Sequence, residues 1–297
     1  MFGTFSKRIV LFVLTNFAVM LLVGVLGRLF GVDQLLYQSG YNPVGLLITS
    51  TLFGFTGSII SLLISKRMAL WSTGAQVIDQ PGNNVERWLV ETVHQQARRA
   101  GIGAPDVAIY EAPEPNAFAT GAFRNSALVA VSTGLLHAMD KREVEAVLAH
   151  EVSHVANGDM VTMTLLQGVV NTFVIFFSRT VGYLVDKLVF KTERGRGMGY
   201  YITTFAAEII FGLLASVIVM AYSRRREFRA DAGAAALVGA PAMISALRAL
   251  QSGPSGSSLS KDLAAFGING SGGGLMALLS THPRIDDRIA ALEGLRS

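Results

Sequence analysis

The chain contains no cysteine. This excludes a disulfide framework, a cysteine-ligated metal and a cysteine nucleophile, and it leaves the compartment unreadable from redox chemistry. Charge is the second shortage. Only 15% of the 297 residues are Asp, Glu, Lys or Arg, against about 25% in an ordinary soluble domain. Hydrophobic residues make up 51%, which points to a membrane protein rather than a large soluble core. The net charge of +4 is modest, and the basic residues sit beside apolar runs. That placement suits lipid headgroups, and nucleic acid is not an expected partner. No repeat of solenoid length is apparent.

Residues Ile9–Leu26 form a nearly unbroken apolar run behind Lys7 and Arg8. It is longer than the roughly 7–15 residues of a signal peptide core, and no clear cleavage site follows, so an uncleaved anchor is expected. Val44–Ile64 is a second run, closed by Lys66 and Arg67. Both approach the roughly 20 residues that span a bilayer. Between them lie only Arg28 and Asp33. The positive-inside rule therefore puts the N-terminus and the chain after residue 66 in the cytoplasm.

Two further apolar stretches follow: Met160–Phe177, carrying Gln167 and Asn171, and Tyr201–Tyr222, carrying Glu208. A spanning hairpin is expected. It leaves the basic segment with Arg179, Lys187, Lys191, Arg194 and Arg196 outside, against the charge bias, and shallow insertion stays open as the alternative. Glu208 should face protein or water. Residues 1–67 are thus read as a two-helix anchor. Residues 68–297 are read as one domain interrupted by the hairpin at about 160–222.

In the hydrophilic part, Val85, Leu89, Val93 and Ala97 recur every fourth residue and predict an amphipathic helix over 85–100. Strands are expected at 106–112, 116–123 and 127–132, the last two joined by a turn at Arg124–Ser126, as a small antiparallel meander. Residues 252–274, rich in glycine and serine, read as a loop. A final helix is expected over 284–295, behind Pro283.

The run HEVSHVANGD at 150–159 carries the chemistry. Asp140 and Glu143 form a capping-box pair that starts its helix. Val144, Leu148, Val152 and Val155 fall on one stripe. His150 and His154, one turn apart with Asn157, fall on another, and Glu151 lies between. Two imidazoles can then converge on zinc while the glutamate reaches the water that the metal activates. A catalytic zinc needs a third ligand, and without cysteine it must be His, Glu or Asp. His94 reads as a surface residue and His137 as a turn residue. Glu227 is the better candidate, with Asp231 one turn on to hold a ligand histidine by its other ring nitrogen. The competing reading pairs both acids with Arg224, Arg225 or Arg229. The chain turns apolar directly after Asp159, so the motif helix is expected to run toward the membrane, with the site near the cytoplasmic bilayer surface.

His150-Glu151-x-x-His154, Asn157-Gly158-Asp159 and Glu227-x-x-x-Asp231 resemble the HtpX group of bacterial inner-membrane zinc peptidases. The block Glu114–Ala119, Thr281-His282-Pro283 and the two pairs of apolar runs extend the likeness over nearly the whole chain. The CAAX-processing membrane proteases look like more distant relatives. The resemblance implies a mainly α, multi-span membrane protein with a cytoplasmic α+β, zincin-like catalytic domain of gluzincin type. It implies one zinc ion per chain and a stress-linked role in cleaving misfolded membrane proteins. Read this way, Glu151 is the general base and His282 the oxyanion donor, with Arg288 a weaker candidate. Asn116, Ala117, Phe118 and Ala119 form an edge strand to which a peptide adds by main-chain hydrogen bonds. Two alternatives stand beside it. One is a membrane scaffold or adaptor with a structural metal or none. The other is a prenyl-peptide protease, for which two to four spans are few to enclose a lipid.

Overall fold

A computed structural model describes residues 42–193, 195–252 and 282–295. The apolar run Ile9–Leu26, most of the glycine-rich loop, and Thr281 lie outside the described residues. The chain divides into two compact units. One holds the described residues up to Ile60 together with Thr162–Val219. The other holds Ser61–Val161 and the described residues from Met220 onward.

The first unit contains most of α1 (Pro43–Thr73) and the apolar parts of α5 (Asp159–Leu188) and α6 (Met198–Val238). All three helices are long and apolar enough to cross a membrane. At about 1.5 Å per residue, each exceeds the ~30 Å of a hydrocarbon core. Helices that share a lipid environment associate through close backbone approach and side-chain hydrogen bonds, and both occur here. The buried residues of α1 are Ser50, Gly54 and Ser58, spaced four apart. A Cβ on Gly54 would lie 2.8 Å from the Thr172 nitrogen and 2.9 Å from the Gly168 oxygen. Gln167 donates to Asn171 (2.8 Å), and Asn171 donates to Ser58 Oγ (3.5 Å), so these polar residues of the span satisfy one another. At the hairpin tip Asp186, 1% exposed, accepts from the backbone nitrogens of Gly197 and Tyr200 and from the Thr192 hydroxyl.

The second unit is built on a four-stranded sheet of β1 (Gln76–Val77), β2 (Asp106–Tyr110), β3 (Ala117–Thr120) and β4 (Leu128–Ser132), in the order β1-β2-β4-β3. This corrects the expected antiparallel meander. β3 and β4 do form an antiparallel hairpin, but β4 inserts beside β2 and runs parallel to it. The cause lies in residues 111–116. Pro113 and Pro115 lack the N–H that a returning strand would need. The Ser132 hydroxyl donates to the Glu114 carbonyl (2.8 Å) and accepts from the Asn116 nitrogen (2.9 Å), which carries the connection across the end of β4. All five residues of β4 are buried, as a central strand requires, whereas β3 is half-buried at the edge.

Helix α2 (Asn84–Arg99) buries Leu89, Val93 and Ala97 completely, while Val85 in its first turn is 49% exposed. The motif helix α4 (Lys141–Asn157) carries the full capping box from Asp140 and Glu143. It packs on α2, on β3 and on α7 (Ala240–Ser252). Short α3 (Thr133–Ala138) includes His137, and α8 (Ile285–Gly294) closes the described chain against α7. The motif helix does not continue into the apolar stretch. Gly158 adopts φ 66°, a left-handed conformation that favours glycine, and ends α4 there. A new helix begins at Asp159.

Candidate metal centre

One turn of α4 presents two imidazole nitrogens to the same point. His150 Nε2 and His154 Nε2 are 3.1 Å apart. Glu227 of α6 closes the third side: its Oε2 lies 3.4 Å from His150 Nε2, and its Oε1 3.4 Å from His154 Nε2. The two histidines are 7% and 6% exposed and Glu227 is 0% exposed. Among the described residues, this is the group of His, Asp and Glu whose ligand atoms converge closely enough to hold a metal ion.

Each histidine is anchored from behind by a carboxylate. His150 Nδ1 lies 2.9 Å from Asp231 Oδ1, and His154 Nδ1 lies 2.7 Å from Asp159 Oδ2. The His154–Asp159 contact is a hydrogen bond, and an Nδ1–H directed at that carboxylate leaves Nε2 as the lone-pair nitrogen. Each carboxylate is in turn held by an arginine. Arg288 of α8 donates twice to Asp231, at 2.7 and 2.6 Å. Arg229 of α6 donates to Asp159 at 3.1 Å. Neither acid of the Glu227–Asp231 pair lies on a solvated arginine face: Arg229 takes Asp159, and Asp231 takes Arg288.

These groups fit a divalent metal. Two lone pairs at 3.1 Å beside a carboxylate repel unless a cation joins them. Glu227 Oε1 is also buried without a hydrogen-bond partner, a costly state for a carboxylate oxygen. Without metal, protons must serve. Burial pulls the His154 pKa down, but the Asp159 and Glu227 carboxylates more than offset it and push it up to about 9. For His150, burial opposes the Asp231 and Glu227 carboxylates in the same way, and its pKa is also raised. Two histidines and one glutamate leave a fourth position open, as catalytic zinc sites do.

The other candidate residues are spread unevenly around this centre. Glu151 sits on α4 between the two histidines, half-buried, and its charge acts on His150, His154 and Arg288. His282 Nδ1 lies 2.9 Å from Glu227 Oε2, with its side chain 61% exposed. Asn116 precedes β3, and Ala117, Phe118 and Ala119 lie in it. That strand is an outer edge of the sheet and packs on the motif helix. His94 bonds the Pro105 carbonyl group, and exposed His137 lies in α3 rather than in a turn.

Two residues go beyond the sequence reading. Asp159 holds the second nitrogen of His154. The available signal was a glycine that ends one helix directly before an acid that opens the next. Arg288 braces Asp231 rather than standing free as an oxyanion donor. Arg288→Ala should therefore weaken metal binding about 10–100-fold, the usual effect of losing such an outer partner. Arg288→Lys should recover only part of this, because an ammonium cannot make the bidentate contact. Wild-type affinity of the alanine variant in a metal competition titration would contradict this role.

Residues 83–296 match the family described as Peptidase family M48. The chain belongs to peptidase family M48. Its M48 relatives include a protein named Protease HtpX homolog from Pelodictyon phaeoclathratiforme, 58% identical over 294 residues, covering 98% of this chain and 100% of that one. A namesake from Bordetella pertussis is 59% identical over 293 residues (98% and 99% covered). Protease HtpX of Thioalkalivibrio sulfidiphilus is 55% identical over 293 residues, with the same coverage. The crystal structure of S. mikatae Ste24p shares the fold, with a TM-score of 0.62 over 96% of this chain and 67% of that one, at 18% identity. This M48 member is a membrane-bound metallopeptidase of mainly helical fold with a small mixed sheet. The scaffold reading is not favoured.

Proposed function

We propose that the chain is a zinc-dependent endopeptidase of the bacterial inner membrane that cleaves misfolded or damaged membrane proteins on the cytoplasmic side. The observation that carries this is the pair of Nε2 atoms 3.1 Å apart, closed by Glu227 and braced by Asp231 and Asp159. His150, His154 and Glu227 would hold the metal. When bound there, zinc supplies Lewis acidity that polarises the scissile carbonyl and acidifies water. Glu151 takes the proton of the attacking water and passes it to the leaving amine. His282, mostly exposed beside Glu227, would donate to the developing oxyanion. An extended peptide adds to β3 through main-chain hydrogen bonds, which recognise backbone rather than side chains and so suit varied unfolded substrates. The substrate class and the stress role rest on the likeness to the HtpX relatives. The orientation rests on the Lys7, Arg8, Lys66 and Arg67 charges. The described M48 region accounts for the chemistry, and the apolar helices account for the anchor.

Treatment of the purified enzyme with ortho-phenanthroline should abolish cleavage of an unfolded membrane protein, and added zinc should restore it. Cleavage that persists in metal-depleted enzyme, as measured by elemental analysis, overturns the reading.

A further inference from the structure

Away from the metal centre, two charges inside the apolar helices of the membrane unit have no partner among the described residues. Arg179 of α5 and Glu208 of α6 each lie half-buried within a long apolar helix. Neither enters a hydrogen bond or ion pair there. The packing of the hairpin nevertheless brings them level. A Cβ on Gly182 would lie 2.0 Å from Thr204 Oγ1, and the Phe177 ring lies 6.0 Å from that of Phe211. Numbers fall along α5 as they rise along α6. Residue 179, between Phe177 and Gly182, therefore faces the level of residue 208, between Thr204 and Phe211. Arg179 is three residues from Gly182, and Glu208 is four from Thr204 and three from Phe211. Each charge therefore lies within one turn of a residue that makes the α5–α6 contact.

Three buried hydroxyls without partners lie around this level: Ser50 Oγ, Ser178 Oγ and Thr204 Oγ1. Ser178 adjoins Arg179, and Thr204 is one turn before Glu208. On α1, Leu46 packs by Tyr183 and Tyr200, and Gly54 meets Thr172. Ser50, midway between them, is therefore level with Ser178. Charges inside a membrane pair with each other or face water, and buried hydroxyls require a partner. A guanidinium has five donors, more than one carboxylate accepts, while a hydroxyl both gives and takes.

We propose that Arg179 and Glu208 form an ion pair within the bilayer, completed by the hydroxyls of Ser50, Ser178 and Thr204. The pair sets the register of the α5–α6 hairpin. The pair also explains why Glu208 is tolerated in an apolar helix without any claim on catalysis.

The test is a charge-reversal cycle in the full-length enzyme reconstituted in phospholipid vesicles, read as the fraction inserted and resistant to an added protease. Arg179→Glu and Glu208→Arg alone should each lower that fraction about tenfold or more. The double reversal should return it to near the wild-type value. Single reversals without effect, or a double variant as poor as the two losses combined, overturn the pair. If the reversals fail to accumulate, Arg179→Gln and Glu208→Gln replace them. The second neutralisation should then add little to the first, and independent losses overturn the pair. The readout is insertion, so failure of the peptidase reading does not affect it.

Discussion

Glu151→Gln is expected to keep its metal and lose about 1000-fold or more in kcat on an unfolded protein substrate, the upper part of what a positioned proton-transfer group contributes. The amide has the shape of the carboxylate, so α4, its capping box and the ligands His150 and His154 are left intact. What it cannot do is accept a proton from water or return one to the leaving nitrogen. The loss should fall in kcat rather than in KM, because Glu151 acts on the reacting water and the peptide is held elsewhere, along β3. Glu151 is only half-buried and its charge reaches both histidines. Removing that charge should weaken metal binding slightly while stoichiometry stays at wild type under saturating zinc. Metal content and single-turnover cleavage on the same preparation decide the matter. A variant that turns over at the wild-type rate rules out Glu151 as the base.

Such a variant could be chosen from the sequence because the features behind it are local. A four-residue spacing on a helix puts His150 and His154 on one face whatever surrounds them, and the Asp140–Glu143 box marks where that helix starts. Glu227 and Asp231 could be paired for the same reason, four residues apart in a helical stretch. The parts that were not legible depend on where distant segments meet. Asp159 reaches His154 only because Gly158 ends the motif helix, and an apolar run beginning at Met160 reads equally well as one helix continued. Arg288 meets Asp231 across 57 residues, a contact that no periodicity announces. In the sheet, alternation identified the three longer strands but not their order. β4 is buried on both faces, and that pattern is what a central strand shows. The separation of β2 from β3 depends on a hydroxyl of Ser132 and two prolines that stop the return. Val85 shows the reverse case: it has the right spacing but lies in the first turn of α2, beyond the core that its helix covers.

Glu227→Ala should lower metal affinity by about 100-fold or more, beyond the 10–100-fold that losing an outer partner costs, and activity should fall with it. Among the described residues, Glu227 is the group that joins the two histidine nitrogens from outside their own helix. Its removal leaves two ligands on a single helical turn, too few for a catalytic zinc site. The effect on the metal-free protein is smaller. Glu227 is 0% exposed, and its Oε1 has no hydrogen bond, so the wild-type site holds a buried carboxylate that is only partly satisfied. Losing it removes that cost, although it also removes one of the carboxylates that raise the pKa of His150 and His154. The apo variant should therefore lose less thermal stability than the holo variant, and the gap between apo and holo melting temperatures should shrink as linkage requires. Glu227→Gln separates charge from shape. It keeps an oxygen near the histidines but no negative charge, and should bind zinc more weakly than wild type and more tightly than alanine. Equal zinc stoichiometry for wild type and Glu227→Ala at a matched, limiting free zinc concentration would remove Glu227 from the ligand set and leave His282, at 2.9 Å from the same carboxylate, as the next residue to test.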